Sequence, residues 1–177
     1  MSSWKTNILV LAFPLLLACE PAVDACESAQ SYEPSVEIGT GENQFLSIED
    51  GASVPMHYGM QGGSHVYGAI RTQGLVPGRE LILGGVESGV EVVFDIFNDD
   101  AEVGYGMVSE AVFSGDESDA EWLGQYIYID LWDLEYDEDE DTYDSVEPTT
   151  VELTMYVEAT DSCGVTVTDS RQVYLAD

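Results

Sequence analysis

The sequence contains very little positive charge. Lys and Arg number 4 among 177 residues, against 35 Asp and Glu, so the formal net charge is −31. Proteins that bind nucleic acid place clustered Lys and Arg against phosphates, and docking on an anionic membrane through protein charge needs the same residues. We therefore expect no nucleic-acid partner.

The residues that common catalytic motifs require are also scarce. Lys5 is the only lysine, and the only histidines are His57 and His65. The sequence has no Gly-x-Ser-x-Gly elbow, no His-Glu-x-x-His zinc motif and no glycine-rich phosphate loop. These absences predict that the protein is not an enzyme.

The chain nevertheless has enough apolar residues to fold. Its residues are 45% hydrophobic and 10% aromatic, whereas disordered acidic segments lack the apolar residues needed for a core. The length favours one domain, and the acidic charge is expected to attract cations or basic protein partners.

The amino terminus has the pattern of an export signal. Residues 8–18 form a short apolar run preceded by Lys5, shorter than the roughly 20 apolar residues of a spanning helix. The run ends in Leu16-Leu17-Ala18-Cys19, which resembles the lipobox of bacterial lipoproteins. The resemblance implies cleavage before Cys19, acylation of its thiol and attachment to a membrane through the lipid. The alternative is an ordinary secretory signal in which Cys19 has no role.

The lipoprotein resemblance also implies a location and a division of the chain. In that family an Asp after the lipidated Cys favours the inner membrane; Glu20 stands there, which implies the outer membrane, at its periplasmic face or the cell surface. We expect 1–18 to be a signal peptide, 19–33 a flexible tether and 34–177 an acidic domain. Residues 61–66 (QGGSHV), followed by Arg71 and Pro77-Gly78, resemble a pattern in uncharacterised bacterial lipoproteins, which implies no function.

Two cysteines remain besides Cys19. Cys26 and Cys163 form an even pair in a chain with an export signal, and exported proteins form disulfides in oxidising compartments. We expect a Cys26–Cys163 bond; the alternative is two unbonded thiols.

Beyond the tether the sequence alternates short apolar runs with Gly-, Asp- and Pro-containing breaks, which predicts an all-β domain. Period-two alternation places Val90, Val92, Phe94 and Ile96 on one face of a strand. The same pattern predicts core faces formed by Val151, Leu153, Met155 and Val157, and by Ile127, Ile129 and Leu131. Nine or ten such strands predict an antiparallel two-sheet β-sandwich, immunoglobulin-like or jelly-roll.

The two histidines lie in one predicted hairpin. Gly62-Gly63 is a turn signal, and a hairpin centred on Gln61 places His57 directly opposite His65, with Met60 in the loop. Cross-strand partners have Cβ atoms about 5 Å apart, so the imidazoles and Met60 could bind copper, or zinc together with carboxylates. The alternative is a pair of edge residues beside a tight turn.

An aromatic stripe forms a second candidate site. Trp122, Tyr126, Tyr128 and Trp132 have even numbers and would share one face of a regular strand. Aromatic side chains beside carboxylates are typical of carbohydrate-binding modules. The alternative is a central strand whose second face is covered.

The acid run at 133–147 is a third candidate. It holds nine carboxylates in fifteen residues, with Asp137, Asp139 and Asp141 at alternate positions. An EF-hand is excluded because Thr142 and Pro148 replace the required Gly and Glu. A looser calcium site and a solvated loop both remain open.

Taken together, these patterns predict a non-catalytic, lipid-anchored acidic β-sandwich of the bacterial envelope with a binding or structural role. The alternatives are a copper- or zinc-binding lipoprotein that uses His57 and His65, and a carbohydrate-binding module.

Overall fold

The structure is a computed structural model that describes residues 25–59, 63–80, 86–87, 89–130, 136–137, 142–143 and 151–176. It contains one short helix, α1 (Ala25–Ala29), and is otherwise built from strands. In chain order the strands are β1 (Ser35–Thr40), β2 (Leu46–Ser47), β3 (Ala52–Pro55), β4 (His57–Tyr58), β5 (Ser64–Gln73), β6 (Arg79–Glu80), β7 (Val86–Glu87), β8 (Val90–Asn98), β9 (Ala101–Ala111), β10 (Ser114–Asp116), β11 (Asp119–Ile129), β12 (Tyr136–Asp137), β13 (Thr142–Tyr143), β14 (Glu152–Thr160) and β15 (Thr166–Ala176). The prediction of an all-β domain is confirmed.

The main sheet has eleven strands, ordered β2-β1-β5-β11-β9-β8-β14-β15-β3, with β4 paired to β5 and β10 to β11. All its pairs are antiparallel except β15 with β3, which run parallel from Val173↔Ala52 to Ala176↔Pro55. The prediction of two antiparallel sheets is not confirmed, because the long strands belong to one mixed sheet. Bulges shift the register between β8 and β9 and between β11 and β5. Bulges strengthen the local twist, which lets one sheet bend around a core.

Hydrogen bonds join the two margins of this curled sheet. The Ile38 amide of β1 donates to Oδ2 of Asp169 in β15 (2.9 Å), and Nε of Arg171 donates to the carbonyl of Ile48 (3.1 Å). Arg171 also pairs with Asp169. Strands at opposite ends of the strand order are therefore held together by polar side chains.

The core lies inside the curl, and strand alternation explains its composition. In β8, Val90, Val92, Phe94 and Ile96 are each at most 1% exposed, as predicted. Register partners across strands share the buried face, for example Ile96 with Met155 and Ile38 with Ile70. The predicted core residues Ile127, Ile129, Leu153, Met155 and Val157 are also buried, and Val151 packs against them. Leu131 lies outside the described residues.

A disulfide connects α1 to the turn between β14 and β15. Cys26 is bonded to Cys163, with Cα atoms 5.8 Å apart. The buried side chain of Ala29 further docks α1 on the domain. The second half of the segment predicted as a tether is thus attached to the sheet.

Among the described residues, α1 is the one helix, and it is too short and too polar to cross a membrane.

Candidate functional site

The histidine pair lies at the edge of the main sheet. His57 in β4 and His65 in β5 are direct register partners, so the predicted hairpin register is confirmed. Their ring centroids are 5.7 Å apart, with an angle of 30° between the ring planes. His57 is exposed and His65 is half-buried. The two imidazoles therefore lie side by side on the outer face of the sheet.

Two tyrosine rings enclose the histidine pair. Tyr67 contacts both imidazoles, with centroids 4.9 Å from His57 and 5.3 Å from His65. Tyr126 lies 4.7 Å from His65 and 5.1 Å from Tyr67. Nε2 of His65 is buried and has no hydrogen-bond partner in the described part of the chain.

The surroundings set the protonation of this cluster. Burial, and after it the nearby His57, lowers the pKa of His65, so its imidazole is held in the neutral form. The Tyr67 hydroxyl donates to the Tyr126 hydroxyl (3.3 Å). This hydrogen bond is the main cause that raises the pKa of Tyr67 to about 12, followed by burial and the charge of Glu42. Tyr67 therefore stays protonated at neutral pH.

The aromatic surface continues from the histidines towards the middle of the sheet. Tyr128 is the register partner of both His65 and Tyr105, and the Tyr128 and Tyr105 rings meet edge to face at 6.3 Å. Tyr105, Met107, Tyr126 and Tyr128 are 59%, 60%, 58% and 44% exposed. We call the set of Tyr67, Tyr105, Met107, Tyr126 and Tyr128 the tyrosine platform. Contiguous exposed apolar side chains of this kind mark interaction sites.

Carboxylates border the tyrosine platform on the side of β8 and β14. Asp95 is the register partner of Tyr105 in β9 and of Tyr156 in β14. Burial raises the pKa of Asp95, and the charges of Glu102 and Glu158 raise it further. Burial and Glu158 likewise raise the pKa of Tyr156, whose hydroxyl donates to Glu158 (3.2 Å). A cation at this border would relieve repulsion among the carboxylates.

The prediction that Trp122 shares a face with Tyr126 and Tyr128 is wrong. The β11–β5 register shifts between Trp122 and Gln125, where Gly124 has a φ of 72°. One extra residue in a strand turns every later side chain to the other face. Trp122 consequently pairs with the buried Ile70, stacks on Phe113 and packs against the core, while Tyr126 and Tyr128 face outward.

Other predicted site residues fall where the structure gives no side-chain description. Cys19, Met60, Trp132, Asp139 and Asp141 lie outside the described residues. Asp137 belongs to the short strand β12, which pairs with β13. The lipid-attachment and calcium predictions therefore remain predictions. Within the described ranges, no three His, Cys, Asp or Glu residues are grouped so as to hold a metal ion.

A separate groove of about 350 Å³ lies beside β1 and β5, lined by Ser35, Val36, Glu37, Arg71, Thr72, Gln73, Ser118 and Asp119. Arg71 is the one cationic residue that lines this groove, and its side chain is already paired with a carboxylate. The Arg71 guanidinium donates to Glu121 (2.6 Å) and lies 4.3 Å from the centre of the Phe45 ring. The groove is thus a weaker candidate than the tyrosine platform.

Sequence reasoning missed Tyr67 and Tyr105. Tyr67 lies two residues after His65 and therefore shares its face, a signal available from strand periodicity. Tyr105 could not be identified in this way, because its place beside Tyr128 depends on the pairing of β9 with β11.

Comparison of the chain with known protein families, with curated proteins and with solved structures finds no match. The function therefore has to be argued from the site itself.

Proposed function

We propose that this protein is a non-catalytic binding protein of the bacterial envelope, held by a lipid at Cys19, that binds a basic protein partner on its tyrosine platform. The observation that carries the proposal is the set of exposed aromatic and Met side chains, 44–60% exposed, on the outer face of the sheet. Tyr and Met are enriched in protein interfaces, and tyrosine gives a large contact area at low entropic cost.

Charge favours a basic partner. A net charge of −31 produces a field that accelerates encounter with cationic surfaces and repels anionic ones. At the platform, Arg or Lys of a partner could stack on Tyr105 and Tyr128 while contacting Asp95 next to them. The aromatic rings supply affinity, and the bordering carboxylates select for positive charge.

The tyrosine platform can be tested with an arginine-rich peptide as the probe. We expect the double substitution Tyr105→Ala/Tyr128→Ala to weaken binding at physiological salt roughly tenfold or more, because central interface tyrosines commonly contribute above about 1 kcal/mol each. The measurement is fluorescence anisotropy of the labelled peptide. Tyr32→Ala is the matched control, since Tyr32 is also exposed (39%) but lies before β1, away from the platform. If Tyr32→Ala weakened peptide binding as much as the double variant does, the peptide would be held by general charge attraction and not by the tyrosine platform. This result would contradict the proposal.

Carbohydrate is the second candidate ligand, since exposed Tyr126 and Tyr128 rings on a sheet face could stack on sugars. Carbohydrate is the weaker of the two candidates, because Trp122 packs against the core and is not part of the exposed aromatic surface. Glycan-array binding that Tyr128→Ala abolishes, without any peptide binding, would favour carbohydrate over a basic protein.

The membrane anchor rests on the lipobox Leu16-Leu17-Ala18-Cys19, and Glu20 supports the outer membrane. We expect Cys19→Ser to move the protein from the membrane fraction to the soluble fraction or to leave it unprocessed, because no acyl chain can be attached. Fractionation and intact mass measure this change. Ser31→Ala serves as the control, since it alters an exposed residue near the amino terminus and leaves Cys19 and the Cys26–Cys163 bond intact. A Cys19→Ser variant that stays in the membrane fraction, with a mass that differs from the wild type only by the Cys-to-Ser replacement, would refute the anchor.

A further inference from the structure

We propose that His57 and His65 form a Cu(II) site at the edge of the main sheet, in which one imidazole from each of β4 and β5 binds the same ion. The ion would lie beside the tyrosine platform without using its exposed rings. The proposal is therefore independent of whether the platform binds a basic protein.

The positions of the two rings fit a shared ion. His57 and His65 are register partners with centroids 5.7 Å apart. With metal–nitrogen bonds of about 2.0 Å, two imidazoles on one ion have centroids up to roughly 6 Å apart. Because the backbone pairing of β4 and β5 places the two side chains opposite each other, only side-chain rotation is needed to bring both imidazoles onto one ion.

The state of His65 also favours a metal. Its Nε2 is buried without a hydrogen-bond partner among the described residues, and leaving a buried polar atom unpaired is unfavourable. The acidic protein field draws divalent cations towards the surface.

The ligand set selects copper among the divalent metals. Cu(II) binds imidazole most strongly in the first-row series and accepts a tetragonal arrangement in which water fills the remaining positions. Zinc sites instead draw three or four ligands from the protein, and the described residues bring no third His, Cys, Asp or Glu to the pair.

The test is electron paramagnetic resonance of the full chain with one equivalent of Cu(II), together with calorimetric titration. We expect hyperfine splitting from two imidazole nitrogens and a Cu(II) Kd that rises roughly tenfold or more in either His57→Gln or His65→Gln, since the second imidazole acts as an intramolecular ligand. Each single variant should retain the splitting of only one such nitrogen.

Two controls separate this site from copper bound elsewhere. Glu110→Gln removes an exposed carboxylate on β9 and should leave the spectrum and Kd unchanged. Circular dichroism without metal checks that the histidine variants fold, and His57→Gln alters only an exposed side chain. The proposal is overturned by a spectrum with oxygen ligands alone, by a His57→Gln protein that binds copper as the wild type does, or by zinc binding tighter than copper binding at the pair.

Discussion

Replacing Asp161 with alanine is expected to lower the free energy of unfolding by about 3 kcal/mol, because a buried carboxylate that accepts three backbone hydrogen bonds is removed. The side chain is 5% exposed. Its Oδ2 accepts from the buried amide of Val76 (3.0 Å), and its Oδ1 accepts from the amides of Cys163 and Val165 (2.9 Å each). Without these acceptors the Val76 amide stays buried and unpaired.

Urea unfolding followed by tryptophan fluorescence measures the Asp161→Ala effect. Asp116 provides the matched control, because its carboxylate also accepts from the backbone amide two residues later, Ser118 (2.8 Å), but at an exposed turn. Water replaces the carboxylate there, so Asp116→Ala should change stability much less. If Asp161→Ala and Asp116→Ala had the same free energy of unfolding, the prediction that the three buried hydrogen bonds of Asp161 stabilise the fold would be contradicted.

Removing the disulfide is expected to have the largest effect on stability. The double substitution Cys26→Ala/Cys163→Ala should reduce the free energy of unfolding by about 4–5 kcal/mol, since the bond closes a loop across 137 positions and restricts the unfolded chain accordingly. The decrease should appear as a lower urea midpoint.

Single variants and alkylation without reductant test the same bond in two other ways. Cys26→Ala and Cys163→Ala should each approach the double variant, because either one opens the loop. Intact mass after alkylation without reductant should show neither of these two thiols modified in the wild type. Two modified thiols at Cys26 and Cys163 would contradict the disulfide.

Local patterns in this sequence predict local structure well. The alternation in β8 and β14 identifies the buried residues from Val90 to Ile96 and from Leu153 to Val157, because a strand with one apolar face has only one way to bury it. The Gly62-Gly63 turn signal likewise predicts the pairing of His57 with His65, since hairpin register depends on residues close in sequence.

Arrangements that depend on distant residues could not be predicted in the same way. Nothing near β3 in the sequence indicates that it runs parallel to β15, more than a hundred residues later. The two margins of the curled sheet are likewise joined by a hydrogen bond between distant residues, from the amide of Ile38 to the carboxylate of Asp169. The tyrosine platform requires strand order, because Tyr105 and Tyr128 meet only when β9 lies beside β11.

The wrong prediction for Trp122 has a different origin, because the residue that indicates the bulge lies only two positions away. Gly124 interrupts an otherwise regular aromatic strand, and a glycine inside a strand pattern indicates a bulge. Even-numbered residues on both sides of Gly124 share a face only if the pleat of the strand is unbroken. The bulge moved Trp122 to the core and left Tyr126 and Tyr128 to form the exposed surface.

The Cys26–Cys163 bond has a consequence for distance from the membrane. In a chain attached at Cys19, only residues 20–25 separate the lipid-bearing residue from the disulfide at Cys26. This segment spans about 25 Å when fully extended. Reduction of the disulfide together with undocking of Ala29 would lengthen this segment to about 50 Å, the span from Cys19 to residue 33. If Cys19 carries the proposed lipid, the oxidised molecule would therefore stand closer to the bilayer than the reduced one.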